Sequence, residues 1–207
     1  VRTRVKICGI TRKVDALAVV EAGGDAIGLN FSPFSPRYVA LEQADEISRS
    51  VPPFVTVVGL FVNAAPYEVD LVLKHCRLDL LQFHGDESPE DCRRYGKPYI
   101  KAIRVQPETN LIQYAEDFSD AKALLLDAYV DGVAGGTGRV FDWNLIPKSF
   151  PLPLILAGGL TPENVQDAIQ QVRPYAVDVS GGVEIQKGIK SAEKITAFML
   201  GVSHATL

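Results

Sequence analysis

Short apolar runs alternate with longer amphipathic stretches along the whole of this chain. The runs occupy residues 5–10, 26–31, 56–62, 78–84, 99–105, 123–129, 152–158 and 176–180. Several are apolar almost without interruption, as in Ala123-Leu124-Leu125-Leu126. A strand buried on both faces reads this way, whereas a strand with one wet face alternates polar and apolar positions. The pattern therefore predicts parallel strands within a covered sheet. Between the runs, apolar positions recur at helical spacing: Val69, Val72, Leu73 and Cys76; Val165, Ala168, Ile169 and Val172; Ile195, Phe198, Met199 and Val202. Each set traces one stripe of an α-helix. Ser88-Pro89 and Thr161-Pro162 each put a capping hydroxyl ahead of a proline suited to the first helical position, and Ser191 caps the last helix in the same sense. Residues 109–116 predict a short or irregular helix.

Taking Cys8, Phe31, Phe61, His84, Arg104, Asp127, Gly158 and Ser180 as the C-terminal ends of the strands, successive ends lie roughly 20–30 residues apart, room for one strand and one crossover helix. Eight similar units predict an α/β fold, a (β/α)8 TIM barrel, over an open doubly wound sheet. No Pro/Gly/Ser-rich linker divides the chain, so residues 1–207 are expected to form a single barrel domain. A chain of 207 residues is long enough for one substantial core.

Composition narrows the function classes. The net charge is −4 and no run of Lys or Arg exceeds a pair, which disfavours a nucleic-acid groove or a polybasic membrane patch. Cys8, Cys76 and Cys92 form an odd set without C-x-x-C spacing, as expected of a reducing compartment and not of a disulfide framework or structural zinc. No stretch is long enough to span a membrane, and the N-terminus lacks a signal-peptide core. A cytoplasmic globule is expected, with a small phosphorylated substrate as its partner, no nucleic acid, no membrane, and a monomeric or weakly homodimeric state.

In a barrel of this kind the chemistry lies at the C-terminal ends of the strands and in the loops that follow them. Ala157-Gly158-Gly159-Leu160 follows strand seven and Ser180-Gly181-Gly182-Val183 follows strand eight. Glycines let backbone N–H groups approach an anion, and phosphate sites in these barrels form after strands seven and eight. The two loops predict a phosphate-binding barrel. A third glycine-rich stretch, residues 132–138 with Gly135 and Gly136, suits a lid or substrate-contacting loop; it lacks the Gly-Lys-Ser/Thr ending of a nucleotide P-loop.

Asp127 ends an apolar strand, where desolvation favours a proton-holding carboxyl and hence a general acid. Cys8, across the mouth on strand one, is the complementary base if nearby cations or dipoles lower its pKa. Acid and base facing each other is the arrangement an isomerase needs to move a proton between adjacent carbons. Arg37, in a loop stiffened by Ser35-Pro36, offers a fork of donors for a carboxylate. His84 either orients the substrate or packs structurally. Cys76 and Cys92 read as structural, His75 and His204 as surface residues, and Trp143 as packing beneath the loop after strand six. No His/Asp/Glu cluster has metal-ligand spacing, so no metal is expected.

These segments together resemble the phosphoribosylanthranilate isomerase family. The likeness runs from Lys6 to about Gly188. It is carried by Lys6-Ile7-Cys8-Gly9, Ser35-Pro36-Arg37, Gln82-Phe83-His84-Gly85, Leu126-Asp127-Ala128, Gly135-Gly136-Thr137-Gly138 with Phe141-Asp142-Trp143, the loop at 156–165, and Asp178-Val179-Ser180 through Gly182-Val183-Glu184, all in the family's order. The resemblance implies an Amadori rearrangement of N-(5-phosphoribosyl)anthranilate without a cofactor. It implies Asp127 as general acid, Cys8 as general base and Arg37 on the anthranilate carboxylate. Phosphate would be held by Gly158, Gly159, Ser180, Gly181 and Gly182, with Asp178 near the substrate. Gly181 stands where many members carry serine, Phe83 replaces a leucine, and Lys187 and Ser191 interrupt the usual pattern after strand eight, so that last segment is set aside as a guide to function. Another phosphate-binding barrel, such as a histidine-pathway isomerase using two carboxylates, is disfavoured by cysteine at the end of strand one. A non-catalytic binder is disfavoured by the joint presence of Cys8 and Asp127.

Overall fold

The eight apolar runs are eight parallel strands that close on themselves. In the computed structural model, which describes residues 2–128 and 142–205, they are β1 (Arg4–Cys8), β2 (Ala26–Asn30), β3 (Thr56–Phe61), β4 (Leu80–Phe83), β5 (Tyr99–Val105), β6 (Ala123–Ala128), β7 (Leu154–Leu156) and β8 (Ala176–Val179). They pair in chain order and β8 returns to β1, with Lys6 opposite Asp178. Cys8 lies opposite Gly28 and Arg104 opposite Asp127, so the chemically interesting strand ends share one rim. The helices α1 (Lys13–Glu21), α2 (Leu41–Ser50), α3 (Pro66–His75), α4 (Pro89–Arg93), α5 (Leu111–Asp117), α6 (Val165–Val172) and α7 (Ala192–Ala205) complete the crossovers.

The continuous apolar character has a direct cause, because each strand faces two cores. Val5, Ile7, Leu124, Leu126, Val177 and Val179 pack outward with the helices. Ile100, Ala102, Ala123, Leu125, Ile155, Ala157 and Ala176 fill the barrel interior. Leu124, Leu125 and Leu126 are all fully buried, each contributing about 1.5–3 kcal/mol by leaving water. The helical stripes dock as their spacing requires: Val165, Ala168 and Ile169 of α6 and Ile195, Phe198 and Val202 of α7 are buried. No helix among the described residues is long and apolar enough to cross a membrane.

Ser88 caps α4 ahead of Pro89, its hydroxyl accepting from Asp91 N, and Ser191 caps α7 by accepting from Lys194 N. Thr161-Pro162 does not open α6, which begins three residues later at Val165. Asn164 causes the delay. Its Oδ1 accepts from Thr161 N and its Nδ2 donates to Gly159 O, so residues 161–164 form a turn tied to the glycine loop. Among the described residues no α-helix links β6 to β7; a 3₁₀ turn at Trp143–Leu145 stands there, with Trp143 packed against the outer core. After β8 the chain makes a small hairpin, β9 (Glu184–Gln186) with β10 (Ile189–Lys190), which the apolar pattern does not anticipate. Gly188 turns it at φ +81°, a left-handed conformation natural to glycine.

Candidate active site

The C-terminal ends of the strands surround a cleft of about 690 Å³. Every described residue expected at the site lines it: Cys8 and Asp178 from β1 and β8, Arg37 after β2, His84 after β4, Asp127 in β6, and the loops at 158–159 and 180–182. Gly135 and Gly136 lie outside the described residues. Cys76 and Cys92 are buried away from the cleft, their thiols pushed up by burial to about 11 and about 12. His75 and His204 are exposed.

Cys8 and Lys6 sit two positions apart on β1, so both side chains point inward. Gly28 makes the room: a Cβ there would stand 2.8 Å from Cys8 Sγ and 3.2 Å from Lys6 Cε. Lys6 Nζ donates to Asp178 Oδ1 at 2.9 Å, both side chains being nearly sealed from solvent, and the ammonium's charge acts on the Cys8 sulfur beside it. Burial holds the Cys8 pKa above its ordinary value; Lys6 and then Lys190 pull it down, while Asp178 pushes it up. The expected cations are present, but the lowered thiol pKa is not found, because desolvation of the thiolate outweighs them. For Lys6, burial works against the charge, yet Asp178 and Cys8 together raise its pKa.

Asp127 is buried, with Oδ1 accepting from Ala128 N at 2.9 Å. Its Oδ2 lies 3.3 Å from His84 Nε2, close enough to pair electrostatically but not aligned as a hydrogen bond, which leaves that nitrogen without a hydrogen-bond partner. The other ring nitrogen, Nδ1, is 3.2 Å from Gln82 Nε2. His84 is thus steered toward Asp127 by a glutamine two residues back, in β4. Gln82 Oε1 and Arg104 Nε are likewise buried without partners, and both residues line the cleft. Buried polar atoms left unpaired are costly, so this wall is built to meet a polar ligand.

Arg37 is held by Glu184. Its Nε and Nη2 donate to Oε1 and Oε2, each at 2.8 Å, a bidentate fork. Glu184 Oε1 also accepts from Lys190 Nζ at 2.9 Å and from Gly188 N at 3.2 Å. Burial would raise the Glu184 pKa, but Arg37 and Lys190 bring it below the usual value; for Lys190 burial prevails over Glu184 and the pKa is lowered. Lys190 also donates to Ser180 O and Oγ, joining the hairpin to the loop after β8. Lys187, in the turn that the sequence motifs had set aside, lines the cleft as well. Glu184 and Lys190 gave no sequence signal as a pair, because a six-residue spacing across a tight turn has no helical or strand periodicity. Lys6 did give one: it is the lone charge inside the apolar run at residues 5–10, on the same face as Cys8.

The two glycine loops fit against each other. Gly158 and Gly159 take φ of +79° and +66°. A side chain on Gly158 would strike Ala128 N and come within 2.8 Å of Asp127 Oδ1, and one on Gly182 would strike the Leu160 carbonyl. Small residues here let the loop after β7 pass close to Asp127 and the loop after β8 pack against Leu160.

Comparison with known proteins agrees with this geometry. Residues 5–200 match the family described as N-(5'phosphoribosyl)anthranilate (PRA) isomerase. The N-(5'-phosphoribosyl)anthranilate isomerase of Nitrosococcus oceani is 60% identical over 201 residues, covering 97% of this chain and 98% of its own. The crystal structure of the Thermotoga maritima phosphoribosyl anthranilate isomerase superposes with a TM-score of 0.90 at 43% identity, over 98% of this chain and 99% of that one. Another solved phosphoribosyl anthranilate isomerase, in complex with reduced 1-(o-carboxyphenylamino)-1-deoxyribulose 5-phosphate, superposes with a TM-score of 0.83 at 39% identity over the same shares. A closed eight-stranded barrel, a cleft framed by a thiol, a carboxyl and paired glycine loops, and these matches place the chain in the phosphoribosylanthranilate isomerase family.

Proposed function

We propose that this cleft carries out the Amadori rearrangement of N-(5-phosphoribosyl)anthranilate to 1-(2-carboxyphenylamino)-1-deoxyribulose 5-phosphate, with Asp127 as acid and Cys8 as base. The chain is an isomerase of tryptophan biosynthesis by its family. The observation that carries the residue assignment is the opening of one carboxyl and one thiol, from β6 and β1, onto the same cleft as the two glycine loops. Asp127 protonates the ribose ring oxygen, the C1–O bond breaks, and the anthranilate nitrogen becomes a protonated Schiff base. That cation acidifies the C2 proton. Cys8 takes the proton, the electrons move onto nitrogen, and the resulting enolamine tautomerises to the ketone. The substrate's own nitrogen is the electron sink, so the steps balance without a cofactor.

The phosphate rests on Gly158, Gly159, Ser180, Gly181 and Gly182, with Lys187 adding positive charge at the rim. Gly181 leaves backbone donors in place of a second hydroxyl. Arg37 keeps its Nη1 edge for the anthranilate carboxylate while Glu184 fixes the rest of its guanidinium. His84 stands against Asp127 and aligns the ring oxygen, and Asp178 faces the substrate from β8. One barrel supplies all of these groups. Addition of the protein to N-(5-phosphoribosyl)anthranilate should extinguish the substrate's anthranilate-type fluorescence as the ketose forms. Fluorescence that decays no faster than in buffer would refute the activity.

A further inference from the structure

Beside Cys8 lies a buried ion pair that takes no part in the proton transfers above. Lys6 and Asp178 sit opposite each other across the β1–β8 seam, joined at 2.9 Å, with Asp178 lining the cleft and Lys6 in the interior behind it. Their side chains are 5% and 9% exposed, so solvent cannot set their charge state. A buried ion pair is weak evidence for stability, because desolvation can exceed the attraction between the charges; apolar residues would fill the same space at no greater cost. The placement is specific in three respects. Lys6 shares its strand face with Cys8 at i, i+2; Gly28, alone of its neighbours in β2, clears the space where the sulfur and the lysine stem meet; and the ammonium donates to the Asp178 carboxylate while its charge favours the thiolate.

We propose that Lys6 is a positioning residue that holds the Cys8 thiolate, with Asp178 as its restraint, so that the pair sets the proton affinity of the base. This rests on the reading of Cys8 as the base and deepens it. Lys6 does not line the cleft and touches no reacting atom; it acts through the sulfur. When Cys8 gives up its proton, the thiolate gains a neighbouring cation in a dry site, where the attraction is stronger than in water. When Cys8 is protonated, Asp178 keeps Lys6 paired and the buried cation is never left alone. The other charged groups that face the thiol are Lys190, from the β9–β10 hairpin, which favours the thiolate, and Arg37, from the loop after β2, which also feels the sulfur's charge. Lys190 is already shared between Ser180 and Glu184, and of the two ammonium groups Lys6 acts more strongly on the thiol.

The proposal makes two mutations on one ion pair act in opposite directions. Lys6→Met removes the cation beside the thiolate, so the Cys8 pKa should rise by at least about one unit; Asp178→Asn removes the opposing carboxylate and frees Lys6 to turn to the sulfur, so the pKa should fall. The readout is the pH dependence of iodoacetamide alkylation at Cys8, followed by mass spectrometry of the Cys8 peptide in the full chain without substrate. At a pH below the wild-type midpoint, a one-unit rise corresponds to roughly tenfold slower alkylation, since the reactive species is the thiolate. Lys6→Met leaves Asp178 buried alone and could fail to fold, so Lys6→Met/Asp178→Asn, which carries no uncompensated charge, is measured beside it and should also shift the midpoint upward. Midpoints that move in the same direction for Lys6→Met, or its paired variant, and Asp178→Asn would overturn the proposal, as would no movement. Because the alkylation needs no turnover, this outcome is separate from the test of Cys8 as base: loss of the Lys6 effect refutes the coupling, whereas full turnover by Cys8→Ala refutes the role of the thiol.

Discussion

Glu184→Gln is the perturbation whose size follows most directly from the structure. The carboxylate accepts from Arg37 through two nitrogens, from Lys190 Nζ and from Gly188 N, and its side chain is only 6% exposed. Lys190 is fully sealed. The amide keeps the shape but supplies one acceptor oxygen and no charge, which leaves a buried ammonium and a mostly buried guanidinium without their counter-ion. Breaking a buried pair by removing one partner costs about 3–5 kcal/mol, far more than the ~0–1 kcal/mol of a surface pair. For a chain of this length each kcal/mol moves the melting temperature by about 2–4 °C, so a drop of roughly 6–20 °C is expected. The pH dependence has a definite sign. The Glu184 pKa is depressed in the folded protein, so its contribution is full above the unfolded value of about 4.3 and is lost as pH falls through the folded value. Calorimetric melting of both proteins from pH 7 down to pH 3 should show the gap between wild type and variant closing at the acid end. KM should rise as well, because Arg37 loses the fork that aims it. A melting shift below about 3 °C at pH 7, or a gap that widens in acid, would refute the reasoning.

Gly158→Ala should lower kcat while also destabilising the chain, since the residue sits at φ +79° and the new methyl would crowd Asp127 Oδ1; kinetics and melting on the same preparation check both. Phe54 is fully exposed at φ 72°, a conformation that costs a bulky side chain about 1–2 kcal/mol, against about 0.5–1 kcal/mol of extra entropy for glycine. Phe54→Gly should therefore raise the urea midpoint slightly, and a lowered midpoint would contradict the strain assignment. Cys76→Ala should cost about 1 kcal/mol through a small cavity and leave kcat unchanged, as its thiol lies in the outer core away from the cleft.

Much of the barrel was legible because its strands face two dry layers. Runs such as 123–126 are apolar at every position for that reason, and their ends mark the rim where Cys8 and Asp127 emerge. Charges inside the barrel were harder to interpret. Lys6 stands out within an apolar run, but sequence alone does not say that its partner is Asp178, since their meeting depends on the closure of β8 onto β1. The Glu184–Lys190 link depends on a two-strand hairpin too short to carry a period, which made the segment around Lys187 look uninformative. At Thr161-Pro162 the local helix signal gave way to Asn164, whose side chain bonds Gly159 and fixes the loop instead. In each case a side-chain contact, not the local period, decided the outcome. The pKa of Cys8 shows the same limit, since the cations expected near it are there but burial outweighs them.

The account stands on Cys8 and Asp127 acting as base and acid in one cleft. Turnover of N-(5-phosphoribosyl)anthranilate, followed by loss of anthranilate fluorescence at saturating substrate, tests this in Cys8→Ala and Asp127→Asn against wild type. The account predicts that each variant melts close to wild type and loses at least ~10²-fold in kcat, the scale of general acid–base catalysis. Undiminished kcat in either folded variant would contradict it.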